Sequence, residues 1–346
     1  MILVLGYFGY RTNKLDGQTV KTRNVYDLLN NCTTDNVDYY DTEDLKFNRL
    51  SVLKMFYKVM RCDTLCYLPA HGNLRVLFPI IYCLSVLFHV KLHYFVVGGW
   101  LKDFLIGLPL HRKMLSRISG IHVETSKLQH GLEEDFHFKN VDIFPNFRNY
   151  NYNIKEFDDV ASSSSCVYLI EKLRVVFVSR VEQSKGLDTL VKVADTLVLK
   201  GYSDKVVFDF YGQKRDDYYD TFLSGNKMFN YKEVLQPEEV LGTLRKYDVL
   251  IFPTHYDGEG CPGILVEALS VGLPIIASNW KYNDDFVENG VNGFLCDTFD
   301  AEAYADSIIA LVDPGVRKVM SRESYIKSQF YSVDRAKSLL SSIVKH

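Results

Sequence analysis

The chain alternates short apolar runs with longer stretches of helical spacing, and this rhythm constrains its fold more than any other feature. MILVLG opens it, and Gly17 to Asn31 follows as a helix. VDYYD, TLCYLP and HYFVV read as further strands separated by helical segments, and IHVET and VDIFP complete the first half. The rhythm breaks from Asn146 to Ser165, a polar stretch ending in four Ser and the expected linker. A second series runs through LRVVFVS, KVVFDFYG, VLIFP and LPIIAS. Between the first two of these, Gly186 to Lys200 reads as a helix with Leu187, Leu190, Val191, Ala194 and Leu197 on one face. Asp300 to His346 reads as helices only. Strand–helix–strand alternation predicts parallel sheets covered on both faces, so the expected class is α/β with two Rossmann-like, doubly wound domains. Ligands of such sheets bind beyond the C-terminal strand ends, which is where chemistry is sought.

Composition narrows the class. At roughly 150 residues per domain, 346 residues suggest two domains. An apolar content of 47% and a net charge of -3 exclude a disordered chain. Seven Cys, with only Cys62 and Cys66 close together, argue against a disulfide scaffold or a zinc site and for reduced, buried thiols. The start reads as a buried strand rather than a signal peptide. There is no run of 18 apolar residues of the kind a membrane-spanning helix needs. Val76 to Val90, with Pro79 near its start, reads as a buried helix, the alternative being a membrane-facing surface. Net charge is +2 up to Val160 and -5 beyond it, with no basic stripe, so nucleic acid is not expected as a partner. Gly6 and Gly9 do not make a G-x-G-x-x-G fingerprint, which argues against a nicotinamide enzyme.

Two constellations carry chemistry. In SRVEQSKGLDTLVKV, Arg180 ends a strand and Lys185 opens a helix, with Gly186 next. Two cations and a helix N-terminus suit an anion, and a diphosphate is the natural guest; the plainer alternative is a solvated basic pair. In PTHYDGEGCPGILVEALSVGLPIIAS, Glu259 and Glu267 flank seven residues, among Gly258, Gly260, Pro262 and Gly263. Gly lets backbone amides approach a ligand closely, and carboxylates so placed accept hydrogen bonds from sugar or ribose hydroxyls. The alternative is a helix-capping carboxylate plus a surface Glu.

Three segments carry a family resemblance. The first, with Ser179 where Gly is common, resembles G-R-x-x-x-x-K-G. The second, with Cys261 for the usual Phe, resembles E-G-F-P-x-x-x-x-E-A-x-A-x-G-x-P. VENGVNGFLCD, Val287 to Asp297, resembles D-G-x-N-G-x-L. In this order they make the chain similar to the retaining GT-B glycosyltransferases of family 4, of the bacterial surface-polysaccharide type. The resemblance implies two Rossmann-like domains facing a central cleft. Residues 1–160 would bind the acceptor, 161–331 the nucleotide-sugar donor, and 332–346 would form a helix returning to the first domain.

It also implies roles. Arg180 and Lys185 would hold the leaving diphosphate, and Glu259 would bind hydroxyls of the transferred sugar. Gly260, Cys261, Pro262, Gly263 and Ile264 would cradle the donor, Glu267 would bind the ribose, and Gly17 would approach the phosphates. Gln18 and Lys21 would follow Gly17 towards the ligand. The candidate acceptor or sugar contacts are His71, Trp100 and Lys21; His71 reads equally as a turn residue, and Trp100 as a helix anchor. The expected partners are a nucleotide-sugar donor, a UDP-sugar favoured, and a saccharide or lipid-linked saccharide acceptor. No cofactor and no metal is expected, because the chain has no strict D-x-D. Leu101 to Gly120, with Lys102, His111, Arg112, Lys113 and Arg117, suits peripheral contact with an anionic membrane, or else is a core helix with a solvated basic edge. The expected location is cytoplasmic, at the inner face of the cell membrane. Two rival readings are an inactive nucleotide-sugar-binding partner subunit and a GT-B nucleotide-sugar 2-epimerase.

Overall fold

Strands buried on both faces need no polar residue on alternate positions, and the central strands show this. β1 (Ile2–Gly6), β3 (Thr64–Leu68), β10 (Val249–Phe252) and β11 (Ile275–Ser278) are buried throughout. The remaining strands are β2 (Val37–Asp41), β4 (Lys91–Phe95), β5 (Gly120–Val123), β6 (Val141–Ile143), β7 (Leu173–Val178), β8 (Val206–Tyr211), β9 (Phe229–Tyr231) and β12 (Gly293–Cys296). The computed structural model describes residues 1–14, 16–69, 71–148, 172–215, 223 and 225–345. Most of the expected linker, and the boundary expected at residue 160, lie outside them.

The chain divides into two units: Met1–Asn146 with Gly260–Pro262 and Val333–His346, and Phe147–Glu259 with Gly263–Ser332. The first holds a parallel sheet in the order β2-β1-β3-β4-β5-β6. Its helix Gly17–Cys32 starts in a capping box, Asp16 accepting from the Thr19 N–H while Thr19 Oγ1 accepts from the Asp16 N–H. The last helix, Val333–Lys345, packs beside it.

The second unit holds a parallel sheet in the order β12-β11-β10-β7-β8-β9. Helix Leu187–Leu199 lies beside helix Ala301–Ala310, and its Leu187, Leu190, Val193, Ala194 and Leu197 enter a core that includes Val175, Phe177, Phe208 and Phe210. Strands β9 and β12 went unread in the sequence: they are three and four residues long and lie at the two edges of the sheet.

Two expectations need correction. Val76 to Val90 is not a buried helix. The observed helix, Phe78–Leu87, turns only Phe78, Ile81 and Ser85 inward and leaves Ile80, Val86 and Leu87 exposed. Lys185 does not open a long helix either. It closes a single 3-10 turn, Gln183–Lys185, and Gly186 follows at φ +84° before helix Leu187–Leu199 begins. A Cβ at Gly186 would overlap the Pro253 carbonyl, so the position needs Gly for both its conformation and its space.

Candidate active site

β7 and β10 are hydrogen-bonded neighbours, so the loops that follow them share one edge of the sheet. After β7 come Ser179, Arg180 and the turn ending in Lys185; after β10 come Pro253, Thr254, His255 and Tyr256. The loops are tied together: the His255 N–H donates to the Ser184 carbonyl at 2.9 Å, and Thr254 Oγ1 donates to the same oxygen at 3.4 Å. From the end of β11 the Ser278 hydroxyl donates to the Thr254 carbonyl at 2.5 Å, and the Asn283 amide donates to the Ser278 carbonyl at 3.0 Å.

On this floor stand three charged groups. Lys185 Nζ donates to Glu259 Oε1, and both residues are buried. Glu259 Oε1 also faces Thr254 Oγ1 at 3.1 Å. Lys185 Nζ lies 4.4 Å from the centre of the Tyr256 ring and the Arg180 guanidinium 5.3 Å from it, so two cations share one aromatic face system. Arg180 is more exposed and pairs with Glu182 at 3.2 Å; Glu182 also takes the Ser184 hydroxyl at 2.7 Å. Tyr256 went unnoticed in the sequence, though its place between Thr254 and Glu259 in PTHYDGEG was the available signal. The Trp280 indole N–H, also unnoticed, fixes the Tyr256 carbonyl at 2.9 Å. The structure thus brings Arg180, Lys185 and Glu259 together.

Glu267 lies one turn into helix Gly263–Ser270, with Ile264 in its first turn. Its carboxylate is held by Arg148 at 3.0 Å, a partner the sequence did not reveal. Burial pushes the Glu267 carboxyl above its ordinary range, and the Arg148 guanidinium pulls it back only in part. A Cβ at Gly263 would meet the Arg148 guanidinium. Gly260, Cys261 and Pro262 group with the first unit, where a Cβ at Gly260 would overlap Gly98 Cα and the Gly99 nitrogen. The Asn146 amide holds the Cys261 carbonyl at 3.3 Å.

In the first unit Gly17 begins its helix with open space where a Cβ would stand, and the Gln18 amide reaches the Leu68 carbonyl at 3.5 Å. Lys21 is corrected: it is not presented to a ligand. One turn further along the helix it faces the sheet, 1% exposed, and donates to Glu124 Oε1 at 2.7 Å and to the Val96 carbonyl at 2.8 Å. Glu124 Oε2 in turn accepts the Gly98 N–H at 3.1 Å, so the pair fixes the loop after β4. His71 is exposed, with its ring 4.8 Å from those of Trp100 and Phe104. The Trp100 indole N–H donates to the Val97 carbonyl at 2.9 Å. His111, expected on a basic surface, is buried, with Nε2 at 3.2 Å from the Arg75 carbonyl. Among the described residues no three His, Cys, Asp or Glu side chains are grouped to hold a metal ion.

Two doubly wound parallel sheets of this order make a fold like that of the GT-B enzymes. Residues 172–313 match the family described as glycosyl transferases group 1. Over 152 residues the chain is 28% identical to the amylovoran biosynthesis glycosyltransferase AmsK of Erwinia amylovora, covering 41% of this chain and 37% of that protein. Over 84 residues it is 32% identical to the UDP-Gal:alpha-D-GlcNAc-diphosphoundecaprenol alpha-1,3-galactosyltransferase of Escherichia coli, covering 24% and 21%. The matches thus span about a third of these relatives or less. The crystal structure of Anabaena Alr3699/HepE in complex with UDP superposes with a TM-score of 0.73 over 99% of both chains at 15% identity, a likeness of fold.

Proposed function

We propose that this chain is a retaining glycosyltransferase that moves a hexose from a UDP-sugar to a saccharide or lipid-linked saccharide acceptor. Its setting is bacterial polysaccharide assembly at the inner face of the cell membrane. The observation that carries this reading is the convergence of Arg180 and Lys185 over Tyr256 beside buried Glu259, inside the segment that matches glycosyl transferases group 1. The UDP of the HepE complex and the UDP-Gal in the Escherichia coli relative's name favour uracil as the base. The diphosphoundecaprenol in that name favours a lipid-linked acceptor.

Lys185 is held by a carboxylate that a diphosphate can replace. As the diphosphate takes the ammonium, Glu259 turns its freed oxygens to the hydroxyls of the transferred sugar. Arg180, more exposed, closes on the outer phosphate, and Glu267 takes the ribose. The bond from the anomeric carbon to the diphosphate oxygen breaks while the acceptor oxygen bonds on the same face. The acceptor's proton passes to the departing phosphate oxygen. The two cations stabilise the charge that develops on that oxygen, so the reaction needs no metal.

A thermal-shift panel with UDP, GDP, dTDP and ADP tests this on wild type and Lys185→Ala. A ligand at about a hundred times its dissociation constant adds roughly 2.7 kcal/mol of stability. A shift with UDP that the variant loses is expected; no shift with any nucleotide overturns the reading.

A further inference from the structure

Glu124 carries a buried carboxylate that the proposed reaction does not use. It follows β5 directly, and Thr125 after it caps helix Ser126–Phe136, its hydroxyl accepting the Leu128 N–H at 3.4 Å. The carboxylate therefore stands on a segment fixed at both ends, and the residue is only 5% exposed. One of its oxygens takes the Lys21 ammonium and the other the Gly98 N–H. Lys21 donates in turn to the Val96 carbonyl, so a single ion pair grips the loop after β4 at both Val96 and Gly98.

That loop meets several candidate site residues of the first unit. Gly98 has φ +83°, and a Cβ there would press on the Trp100 ring. The His71 ring lies against the Trp100 ring in turn. Gly260, which groups with the same unit, comes so close that a Cβ on it would overlap Gly98 Cα and the Gly99 nitrogen. One loop thus touches Trp100, with His71 behind it, as candidate acceptor contacts, and Gly260 of the expected donor cradle. Stability alone does not explain the ion pair beneath it. Well-packed apolar residues in place of a buried ion pair are often as stable or more so. They cannot accept the Gly98 N–H, and a carboxylate accepts it about twice as strongly as a neutral group does.

We infer that Glu124 is a positioning residue for the sugar transfer. Its Oε2, through the Gly98 N–H, fixes the loop that sets Trp100, His71 and Gly260 relative to one another, and Lys21 holds that carboxylate in place. Glu124 touches neither substrate. A displacement of about 1 Å at reacting groups, caused from a distance, can cost about a hundredfold in rate. Loss of the tether therefore acts on turnover, while UDP affinity, carried by Arg180, Lys185 and Glu267, stays as it is. The inference rests on the proposed function, because it assigns a part in that reaction.

The test compares two double variants of the full chain that differ only in the group facing Gly98. Lys21→Met with Glu124→Leu removes both charges and the acceptor; Lys21→Met with Glu124→Gln removes both charges and keeps an acceptor oxygen. Both pairs are close in volume to the originals, so both variants should fold. UDP release from UDP-sugars gives kcat and KM, and the thermal shift with UDP reports the donor site. The Leu variant should lose about ten- to a hundredfold in kcat with a wild-type UDP shift, and the Gln variant should recover most of that loss. The loop is read without any substrate by Trp100 fluorescence in a Trp280→Phe background, where Trp100 is the sole Trp. Acrylamide quenching should rise in the Leu variant and stay at the wild-type level in the Gln variant. Equal kcat in the two double variants well below their melting temperatures, or unchanged quenching in the Leu variant, overturns the inference. So does a loss of kcat that follows melting temperature in both, which would make the pair structural only. A wild type that shows neither a UDP shift nor UDP release is a separate result: it sinks the proposed function, and this inference with it, before any variant is compared.

Discussion

Lys185 and Glu259, 74 residues apart in sequence, meet as a buried ion pair at the edge of one sheet. The pair is held in place from below by Thr254 and covered on one side by the Tyr256 ring. Removing one partner strands the other charge in a site with little water, so Glu259→Ala should cost about 3–5 kcal/mol of stability. Lys185→Ala should lower turnover by about two to three orders of magnitude, the scale for losing a leaving-group stabiliser. Denaturant titration and initial rates with a UDP-sugar check both. Wild-type rates in Lys185→Ala would remove the lysine from the mechanism.

The Lys21–Glu124 pair makes a contrasting prediction. It touches no proposed ligand, so Lys21→Ala should show its effect as a loss of about 3–5 kcal/mol in urea unfolding, from the buried Glu124 left uncompensated. Lys21→Met combined with Glu124→Leu should recover part of that loss, short of the hydrogen bond to the Gly98 N–H. A single variant as stable as wild type would contradict the assignment.

His93 and His122 stack at 5.3 Å with their facing nitrogens 3.1 Å apart. Burial, with Lys91 adding to it, lowers His93 to about 4. Burial, then His93 and Lys21, lower His122 to about 3. Both rings are therefore neutral in the folded chain, while the unfolded chain takes up protons below its ordinary value of 6.5. Their contribution to stability is complete above pH 6.5 and is lost as pH falls towards 4, by about 1.4 kcal/mol per pH unit for each His. His122→Phe should flatten this slope between pH 6.5 and 4 in melts across that range. An unaltered slope would place the acid sensitivity elsewhere.

Gly260→Ala should disturb the first unit, because the new methyl meets Gly98 Cα and the Gly99 nitrogen, backbone atoms that cannot swing aside. Overpacking of this kind costs about 1–3 kcal/mol. The expected result is a lower melting temperature together with lost turnover; a variant with wild-type melting would show that the loop has room.

Glu267→Ala should weaken UDP binding by roughly ten- to a hundredfold, the range for losing a hydrogen bond to a charged group, and leave the preference among UDP-sugars unchanged. Titration calorimetry with UDP measures the first and competition between donors the second. Unchanged UDP affinity would sink the ribose role.

The sequence was legible where a residue's surroundings are set locally. β1, β3, β10 and β11 read as apolar runs because both their faces are covered. Arg180, Lys185 and Glu259 were found because they sit next to strand ends and Gly-rich turns. Sequence gave no access to partners supplied by distant chain. Lys21 resembled a ligand contact until Glu124, 103 residues on, occupied it. Arg148 lies 119 residues from Glu267. Helix Phe78–Leu87 was misjudged for another reason: a helix apolar on all sides carries no pattern that tells its inward from its outward face.

The links from Asn283 to Ser278, from Ser278 to Thr254 and from Thr254 to Glu259 join the ends of two strands beneath the charged groups. These dipoles take their orientation when the second unit folds, before any substrate arrives. In the proposed reaction only Glu259 has to turn, while the chain from Asn283 to Thr254 beneath it is already set, which spares the reorganisation that a site in bulk water would add to the barrier.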